Sequence, residues 1–283
     1  MSDIEVIGVV GAGQMGAGIA HVAALSGFKV LLADADRARA EKGKAGVQKR
    51  MARAVEKGKL EASAMEAALE AITPVDGLGG FRPAQFVIEA VNENEALKTS
   101  IFETLDGVLA ADALRATNTS SIPITRIAAK TKHPERFIGM HFMNPVPVME
   151  LVEVITGLQT APETLKTTQA LAAKMGKTTI IARDMPGFAI NRILMPMINE
   201  AVYALYEGIA SAEDIDTGMK LGTNQPMGPL TLADFIGLDT CLAIMEVLHA
   251  GLGDTKYRPC PLLRQYVEAG WLGRKSGRGF HTY

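Results

Sequence analysis

Three glycines near the start of the chain constrain its fold more than any other feature. Gly11, Gly13 and Gly16 form the pattern G-x-G-x-x-G, which follows the apolar, β-branched run Ile4–Val10 and opens a predicted helix. In this context the first glycine permits a tight turn, the second lets a pyrophosphate approach the backbone, and the third lets the helix pack closely on the strand. The pattern therefore predicts a dinucleotide-binding α/β unit.

The end of the next strand indicates which dinucleotide is bound. The predicted strand Lys29–Ala33 is followed by Asp34, whose carboxylate can hydrogen-bond the ribose hydroxyls and repel a 2′-phosphate. NAD is therefore the expected cofactor, although Arg37 lies close enough in the sequence to leave NADP open. The first turn of the helix after the glycines offers N–H groups and a partial positive charge to the phosphates. We also assign to the cofactor site Gln14, Met15 and Asn144.

The pattern of strands and helices divides the chain in two. Up to Asp184, predicted strands and helices alternate, which predicts an α/β fold with a Rossmann-type, doubly wound parallel sheet. Residues from about 36 to 72 are rich in Ala, Lys, Arg and Glu, which predicts a protruding pair of helices. Later helices are expected at Phe188–Tyr206, Ser211–Leu221, Leu230–Leu248 and Leu262–Ala269. The predicted domains are therefore 1–184, which binds the cofactor, and 185–283, which is all-helical.

The composition limits the classes of partner. The chain has 283 residues, 48% of them hydrophobic, and a net charge of −2, so we expect neither nucleic acid nor an anionic membrane as a partner. Its two cysteines, Cys241 and Cys260, have no metal-ligand spacing, so we expect buried or idle thiols and no metal site. The sequence shows no signal peptide and no apolar run of the roughly 18 residues that a membrane span needs, which predicts a cytoplasmic protein.

A histidine and a glutamate flank a proline-rich turn and are candidates for acid–base chemistry. His141 ends one predicted strand and Glu153 lies on the following strand-like run. Pro145 and Pro147 between them predict a hairpin-like return that brings the two side chains together. A carboxylate on one ring nitrogen fixes the tautomer and lets the other nitrogen exchange a proton with a substrate. From these residues alone, a purely structural histidine is an equally good interpretation.

Polar residues after two other predicted strands form a second group of candidates. Asn118, Ser120 and Ser121 lie in the segment TNTSS, where amides and hydroxyls can hold a reacting oxygen or the nicotinamide amide. The alternative is a turn that caps the next helix. Glu93 and Lys98 follow another strand and can face the cofactor, or they can be first-turn charges of a helix.

Several long blocks of the chain are similar to a known family. The sequence resembles the L-3-hydroxyacyl-CoA dehydrogenases from end to end, most closely the stand-alone bacterial members that act on 3-hydroxybutyryl-CoA. The blocks that carry the resemblance are VIGVVGAGQMGAGIA, VIEAVNENEALK, ATNTSSIPIT, GMHFMNPVPVMELVEVI, PGFAINRILMPMINEA, MKLGTNQPMGPLTLADFIGLD and GWLGRKSGRGF. One departure is Met143, where the family usually has a second aromatic residue.

The resemblance implies a role for each matching position. It makes His141 the catalytic acid–base and Glu153 its orienting partner, and it places Ser120 and Asn191 at the 3-oxygen and thioester region of the substrate. It assigns contacts with the nicotinamide and ribose to Asn118, Glu93 and Lys98. It places at the phosphates of coenzyme A the basic residues Arg53 and Lys57, for which a solvated helix face is the alternative.

The resemblance also implies a reaction and an assembly. The expected enzyme oxidises (S)-3-hydroxyacyl-CoA to 3-oxoacyl-CoA reversibly with NAD, a step of fatty acid metabolism, and its helical domain forms a homodimer. One rival is a dehydrogenase of a related non-CoA hydroxy acid, against which the basic residues at 53 and 57 argue mildly. Another rival is a non-catalytic nucleotide-binding protein, against which the intact candidate residues argue.

Overall fold

The computed structural model describes residues 4–283, so residues 1–3 of the predicted first domain lie outside the described residues. The chain divides into two compact units between Asp184 and Met185. The strands, all in the first unit, are β1 Val6–Val10, β2 Lys29–Ala33, β3 Ile72–Pro74, β4 Phe86–Glu89, β5 Leu114–Thr117, β6 Phe137–Phe142, β7 Leu151–Thr156 and β8 Thr178–Arg183. Its helices are α1 Gln14–Leu25, α2 Arg37–Glu56, α3 Ala62–Ala71, α4 Glu95–Leu105, α5 Ile124–Ala128 and α6 Pro162–Lys174.

The strands form one twisted sheet in the order β3-β2-β1-β4-β5-β6-β7-β8. Helices separate most of its strands, and its parallel part has the order expected of a Rossmann-type sheet, so the predicted fold class is confirmed. The sheet departs from the parallel arrangement at one place, where β7 runs antiparallel to β6, in keeping with the hairpin-like return predicted between His141 and Glu153. The connection between them is a short hairpin-like turn, which can join only antiparallel neighbours.

The helix pair α2–α3 does not simply project from the sheet unit. One face of α2 is buried in the core of this unit through Ala40, Val47 and Met51, and α3 adds the buried Ala68. The predicted helical region also ends one residue early, because Ile72 begins β3 and pairs with Val30. The short run Ile72–Pro74 gave no strand signal of its own, and its pairing with β2 decides its conformation.

The second unit is helical, as predicted. Its helices are α7 Ile190–Tyr206, α8 Ala212–Gly222, α9 Pro229–Ile236, α10 Leu238–Leu252 and α11 Pro261–Glu268. The single helix predicted over Leu230–Leu248 was wrong, because Gly237 adopts a φ of 104° and separates α9 from α10. In the described residues no single helix could span a membrane; only α9 and α10 taken together, bent by 99°, meet the length and apolarity required.

The C-terminal segment packs on the helical unit around one buried carboxylate. Asp234 is 1% exposed and accepts hydrogen bonds from the backbone N–H groups of Phe280 and His281 and from the hydroxyl of Tyr283. A side chain at Gly279 would overlap Asp234, so the segment approaches α9 as closely as a backbone can. Cys241 and Cys260 are both buried and unpaired with each other, as expected of structural thiols.

Candidate active site

The glycine loop between β1 and α1 has the geometry of a dinucleotide cradle. Gly11 has a φ of 98°, and a Cβ there would lie 2.6 Å from the carbonyl oxygen of Ala90. A Cβ on Gly16 would overlap the carbonyl oxygen of Gly11. Gly13 differs, because its φ of −68° suits any residue and a Cβ would meet no atom within 4 Å in the described chain. Contacts within the protein therefore require glycine at positions 11 and 16. The open space beside Gly13 fits the approach of a ligand instead.

Asp34 lies directly against this loop. Its Oδ2 accepts a hydrogen bond of 2.7 Å from the N–H group of Ala12, so the carboxylate stands at the point where the loop turns into α1. Gln14 at the start of α1 donates from Nε2 to Asn144 Oδ1 over 3.0 Å, which joins two of the predicted cofactor residues. Met15 instead packs against the core of the sheet unit.

A cleft of about 520 Å³ opens from this loop along α2. Its lining combines the glycine loop and Asp34 with small and basic residues of α2, namely Arg39, Lys42, Gly43, Gly46 and Arg50. Arg37, which the sequence left as a possible 2′-phosphate partner, is not among them and pairs with Glu41 at 3.0 Å. A Cβ on Gly43 would lie 2.6 Å from the Cβ of Ala12, so glycine there lets α2 approach the glycine loop closely. The basic residues give the cleft a positive wall.

Arg53 and Lys57 continue the basic face of α2 beyond the cleft. Successive helical residues turn by about 100°, so positions 50, 53 and 57 point in similar directions. Both side chains are exposed, and neither lines the cleft. The positive face therefore extends from the glycine loop to the end of α2, as a long polyanionic ligand requires.

The hairpin of β6 and β7 brings the predicted catalytic pair together. The antiparallel register places His141 directly opposite Glu153, and His141 Nδ1 lies 2.7 Å from Glu153 Oε2. Glu153 is fully buried and His141 is 9% exposed. A carboxylate at Nδ1 holds the imidazole in the tautomer whose Nε2 can accept a proton. An imidazole held in this way presents Nε2 as its proton acceptor, and the role predicted for the pair in acid–base chemistry stays a prediction.

The TNTSS segment lies at the same edge of the sheet. Because β1, β4, β5 and β6 are parallel, their carboxyl ends share this edge. Asn118 follows β5, and its Oδ1 accepts a 2.8 Å hydrogen bond from the N–H group of Phe142, the neighbour of His141. The N–H group of Ser120 donates to Glu93 Oε1 over 2.9 Å. The structure thus gathers Asn118, Ser120, Glu93 and the predicted pair of His141 and Glu153 at one edge of the sheet.

Two predicted residues have different surroundings. Lys98 is fully buried on α4, and its Nζ lies 2.7 Å from Glu89 Oε1, a residue that the sequence analysis did not single out. Asn191 lies on α7 of the helical unit and is 7% exposed. The contacts predicted for both residues with cofactor or substrate stay predictions.

Comparison with known proteins identifies the family. The model of the 3-hydroxyacyl-CoA dehydrogenase NAD-binding domain matches residues 6–185, and the model of the C-terminal domain of the same family matches residues 187–283. The chain belongs to the 3-hydroxyacyl-CoA dehydrogenase family. It is accordingly an oxidoreductase whose first unit binds a nicotinamide dinucleotide, as predicted.

Relatives of this dehydrogenase match it over its whole length. It is 58% identical over 99% of its length to a "probable 3-hydroxybutyryl-CoA dehydrogenase" of Bacillus subtilis, of which 98% is covered. It is 55% identical over 99% of its length to a 3-hydroxybutyryl-CoA dehydrogenase of Bradyrhizobium diazoefficiens, of which 96% is covered. The crystal structure of (S)-3-hydroxybutyryl-CoA dehydrogenase from Ralstonia eutropha superimposes with a TM-score of 0.97 at 49% identity and covers 99% of both chains.

The sequence analysis of this dehydrogenase missed two sets of site residues. The cleft-lining residues Arg39 and Arg50 lie eleven positions apart on α2 and share one face, a spacing that could have been noticed. Glu89 ends the buried strand β4, and a charged residue at the carboxyl end of a buried strand was a usable signal. Its partner could not be inferred, because the side chain that neutralises it lies on a separate helix.

Proposed function

We propose that the chain is an NAD-dependent dehydrogenase that oxidises (S)-3-hydroxyacyl-CoA, with 3-hydroxybutyryl-CoA as its preferred substrate, to the 3-oxoacyl-CoA, and that the reaction is reversible. The observation that carries the proposal is the 2.7 Å pair of His141 Nδ1 and Glu153 Oε2 at the sheet edge that also holds the glycine loop. The full-length relatives named as 3-hydroxybutyryl-CoA dehydrogenases support the choice of substrate.

The residues divide the chemistry among them. The glycine loop and Asp34 would hold NAD, which accepts a hydride from the hydroxyl-bearing carbon when it is bound. His141 Nε2 takes the proton of the substrate hydroxyl, and the imidazolium that forms is stabilised by Glu153. Ser120, at the same edge of the sheet, would donate a hydrogen bond that keeps the reacting oxygen in line, and Asn118 would contact the nicotinamide. In the reverse direction the same imidazolium returns the proton to the 3-oxo oxygen.

The preference for NAD rests on Asp34. Its carboxylate lies beside the N–H group of Ala12, where a 2′-phosphate on the adenosine ribose would meet a negative charge. The proposal is tested by kcat/KM with NADH and with NADPH. We expect a clear preference for NADH, and equal values would contradict the role of Asp34.

The CoA handle rests on the basic face of α2, and it distinguishes this substrate from a free hydroxy acid. The decisive assay follows NADH oxidation with acetoacetyl-CoA and, as the matched control, with free acetoacetate. We expect turnover of about 1–10³ per second with the thioester only. Turnover with the free acid alone would indicate a non-CoA dehydrogenase. NADH binding without turnover on either compound would indicate a non-catalytic nucleotide-binding protein.

We also propose that the helical unit forms a homodimer. In α8 only Ala212 and Asp216 are buried, and the apolar Leu221 at its end is 81% exposed. Ile193 on α7 is 71% exposed, as is Ile209 in the loop that follows that helix. Large exposed apolar side chains on one compact unit are typical of a protein interface.

A further inference from the structure

The turn between β6 and β7, residues 143–150, lies against helix α1 at two points. At the start of α1, Gln14 Nε2 donates to Asn144 Oδ1 over 3.0 Å. Gly18 lies one helical turn later on the same face and is buried, and a Cβ there would lie 2.9 Å from the Cβ of Val146. Glycine at this position therefore lets the backbone of α1 approach the turn directly.

Lys177 holds the same turn through its backbone. Its Nζ donates to the carbonyl oxygens of Val146 and Met149 over 2.6 Å and 2.8 Å. Lys177 is 9% exposed, and a buried ammonium is costly unless it is hydrogen-bonded, so these two bonds compensate for its burial. Burial lowers the pKa of His21 on α1, and the charges of Arg50 and Lys177 lower it further, so the ammonium lies near α1 as well.

The two contacts meet at Val146. Its side chain is 2% exposed and belongs to the core of the sheet unit, and its carbonyl oxygen is the one that Lys177 bonds. Because protein interiors are close-packed, the side chain cannot give way to a larger residue at position 18 unless the turn moves. The position of the turn is therefore fixed by α1 and by Lys177 together.

This turn joins the two strands that carry the proposed acid–base pair. His141 lies on β6 and Glu153 lies opposite it on β7, whereas the N-terminus of α1 follows the glycine loop that would hold the cofactor phosphates. A contact between α1 and the turn thus connects the cofactor side of the site with the acid–base side. A misplacement of about 1 Å between reacting groups can cost roughly 10²-fold in rate.

We propose that Gly18 and Lys177 are positioning residues that hold the β6–β7 turn on α1 and thereby set the distance between the bound cofactor and His141. The catalytic consequence rests on the proposed function. Gly18 acts through the absence of a side chain, and Lys177 acts through two carbonyl oxygens of the turn. Gly18 thus differs from the three glycines of the loop, which shape the loop itself.

The test adds a methyl group at the contact and then removes the groups that it meets. Gly18→Ala is compared with Val146→Ala and with the double variant Gly18→Ala/Val146→Ala. The matched control is Gly218→Ala on α8, where a Cβ would meet no atom within 4 Å in the described part of the chain. Lys177→Met is compared with Lys166→Met, which removes an exposed lysine of α6.

Four quantities are measured on each protein. They are the Kd of NADH by fluorescence, kcat and KM with acetoacetyl-CoA, the kinetic isotope effect with NADH deuterated at the transferred hydrogen, and the free energy of unfolding in urea. The first three report on the geometry of the reaction, and the fourth reports on the packing of the fold.

For Gly18→Ala we expect kcat to fall by about 10²-fold, with a larger isotope effect because hydride transfer becomes rate-limiting, and a Kd of NADH within about threefold of that of the unmodified protein. The double variant should recover kcat to within about threefold of that of Val146→Ala, because two changes at one contact are not additive. Lys177→Met should show the same loss of kcat as Gly18→Ala. Both controls should match the unmodified protein.

Three outcomes would overturn the proposal. A folded Gly18→Ala protein with a lower free energy of unfolding but an unchanged kcat would show that the contact is only structural. Additive losses in the double variant would show that Val146 is not what the added methyl group meets. An unchanged kcat in Lys177→Met would remove the role of the lysine. If Lys177→Met does not fold, Lys177→Gln, which keeps an N–H donor for one carbonyl oxygen, is judged by the same criterion.

Hydrogen exchange of a peptide covering residues 142–150, with and without NADH, gives a measurement that needs no turnover. NADH should slow this exchange in the unmodified protein and in the double variant, but not in Gly18→Ala, whose turn no longer lies against α1. Exchange that NADH slows equally in all three would overturn the positioning role. An unmodified protein that fails to reduce acetoacetyl-CoA would count against the proposed function, while the exchange result would still decide on Gly18.

Discussion

At the scale of single residues, the proposed chemistry depends on where two charges are placed. Glu153 is fully buried, and a buried carboxylate is costly unless it is paired and hydrogen-bonded. His141 provides that partner at 2.7 Å, and the imidazolium formed during turnover would carry the compensating charge. In the proposed reaction the pair is therefore both a stabilising contact and an oriented base.

The pair is expected to act as one unit. His141→Gln should lose about 10²–10⁴-fold in kcat with NADH binding intact, the usual contribution of general acid–base catalysis. The kcat of Glu153→Gln should also fall steeply, because an amide cannot stabilise the imidazolium by charge. The double variant should be scarcely slower than His141→Gln. Steady-state kinetics on the three proteins decides the matter, and additive losses would mean that the residues act separately.

A second histidine affects stability instead of chemistry. His21 on α1 is 7% exposed, and its Nδ1 has no hydrogen-bond partner among the described residues. Burial, followed by the charges of Arg50 and Lys177, lowers its pKa from 6.5 to about 4. The folded protein therefore keeps this imidazole neutral where the unfolded chain protonates it, so its contribution to stability is lost as pH falls from 6.5 towards 4.

His21→Gln should therefore reduce the sensitivity of the fold to acid. Between about pH 7 and pH 5, the free energy of unfolding of the unmodified protein should fall by about 2 kcal/mol more than that of the variant. Urea unfolding at the two pH values measures the difference. Parallel losses in both proteins would show that His21 does not titrate in this range.

At the scale of elements, the β1–α1 loop separates packing from binding. The absence of a side chain is required by protein contacts at Gly16 but not at Gly13. The two glycines of one motif should therefore respond differently to the same substitution.

Gly13→Ala should keep the free energy of unfolding within about 0.5 kcal/mol of that of the unmodified protein, as most surface substitutions do. It should raise the Kd of NADH about tenfold, because an added methyl group in a close contact costs roughly 1–3 kcal/mol. Gly16→Ala should instead lower the free energy of unfolding by roughly 1–3 kcal/mol, because its Cβ would overlap the carbonyl oxygen of Gly11. Thermal unfolding and NADH titration of both variants test this prediction. A Gly13→Ala protein that binds NADH with an unchanged Kd would show that the pyrophosphate does not approach Gly13.

The basic face of α2 should contribute to substrate binding and not to catalysis. Arg53→Ala with Lys57→Ala should raise KM for acetoacetyl-CoA about two- to thirtyfold, since exposed ion pairs contribute about 0.2–1 kcal/mol each. The value of kcat should stay nearly constant, because a remote contact stabilises ground and transition states alike.

The matched control removes two exposed lysines elsewhere, Lys130→Ala with Lys132→Ala. The effect of the α2 variant should shrink at high salt, which screens exposed charges. An unchanged KM at low ionic strength would show that Arg53 and Lys57 do not bind the substrate and belong to a solvated helix face.

At the scale of the whole molecule, the proposed dimer rests on the surface of the helical unit. That unit exposes the apolar side chains of Leu221, Ile193 and Ile209. In a two-fold dimer every interface residue counts twice, so one substitution has a doubled effect.

Leu221→Glu should raise the dissociation constant of the dimer by at least about 10²-fold, since burying a leucine contributes roughly 1.5–3 kcal/mol in each copy. Sedimentation velocity at several concentrations measures it. The control Leu158→Glu alters a side chain of the sheet unit that is 88% exposed, and it should leave the assembly unchanged. A monomeric unmodified protein, or an unaffected Leu221→Glu dimer, would contradict the proposed interface.

Much of the fold could be predicted from local sequence. The glycine pattern, the apolar runs of β1 and β2 and the acid at position 34 are short-range signals, because turns, strands and cofactor motifs are set by neighbouring residues. The two prolines after His141 indicated the return of the chain. The antiparallel register that pairs His141 with Glu153 follows from that return.

The tertiary structure alone decided the features that depend on distant partners. Ile72–Pro74 became a strand because β2 offered an edge, and Gly237 broke a continuous apolar helix pattern. The sequence offered Lys98 as a cofactor contact or a first-turn helix charge and not as the partner of Glu89, which lies nine residues earlier on a different element. Periodicity and motif spacing report which residues are neighbours along an element. They do not report which buried charge will neutralise another, because that choice is made by the packing of whole elements against each other.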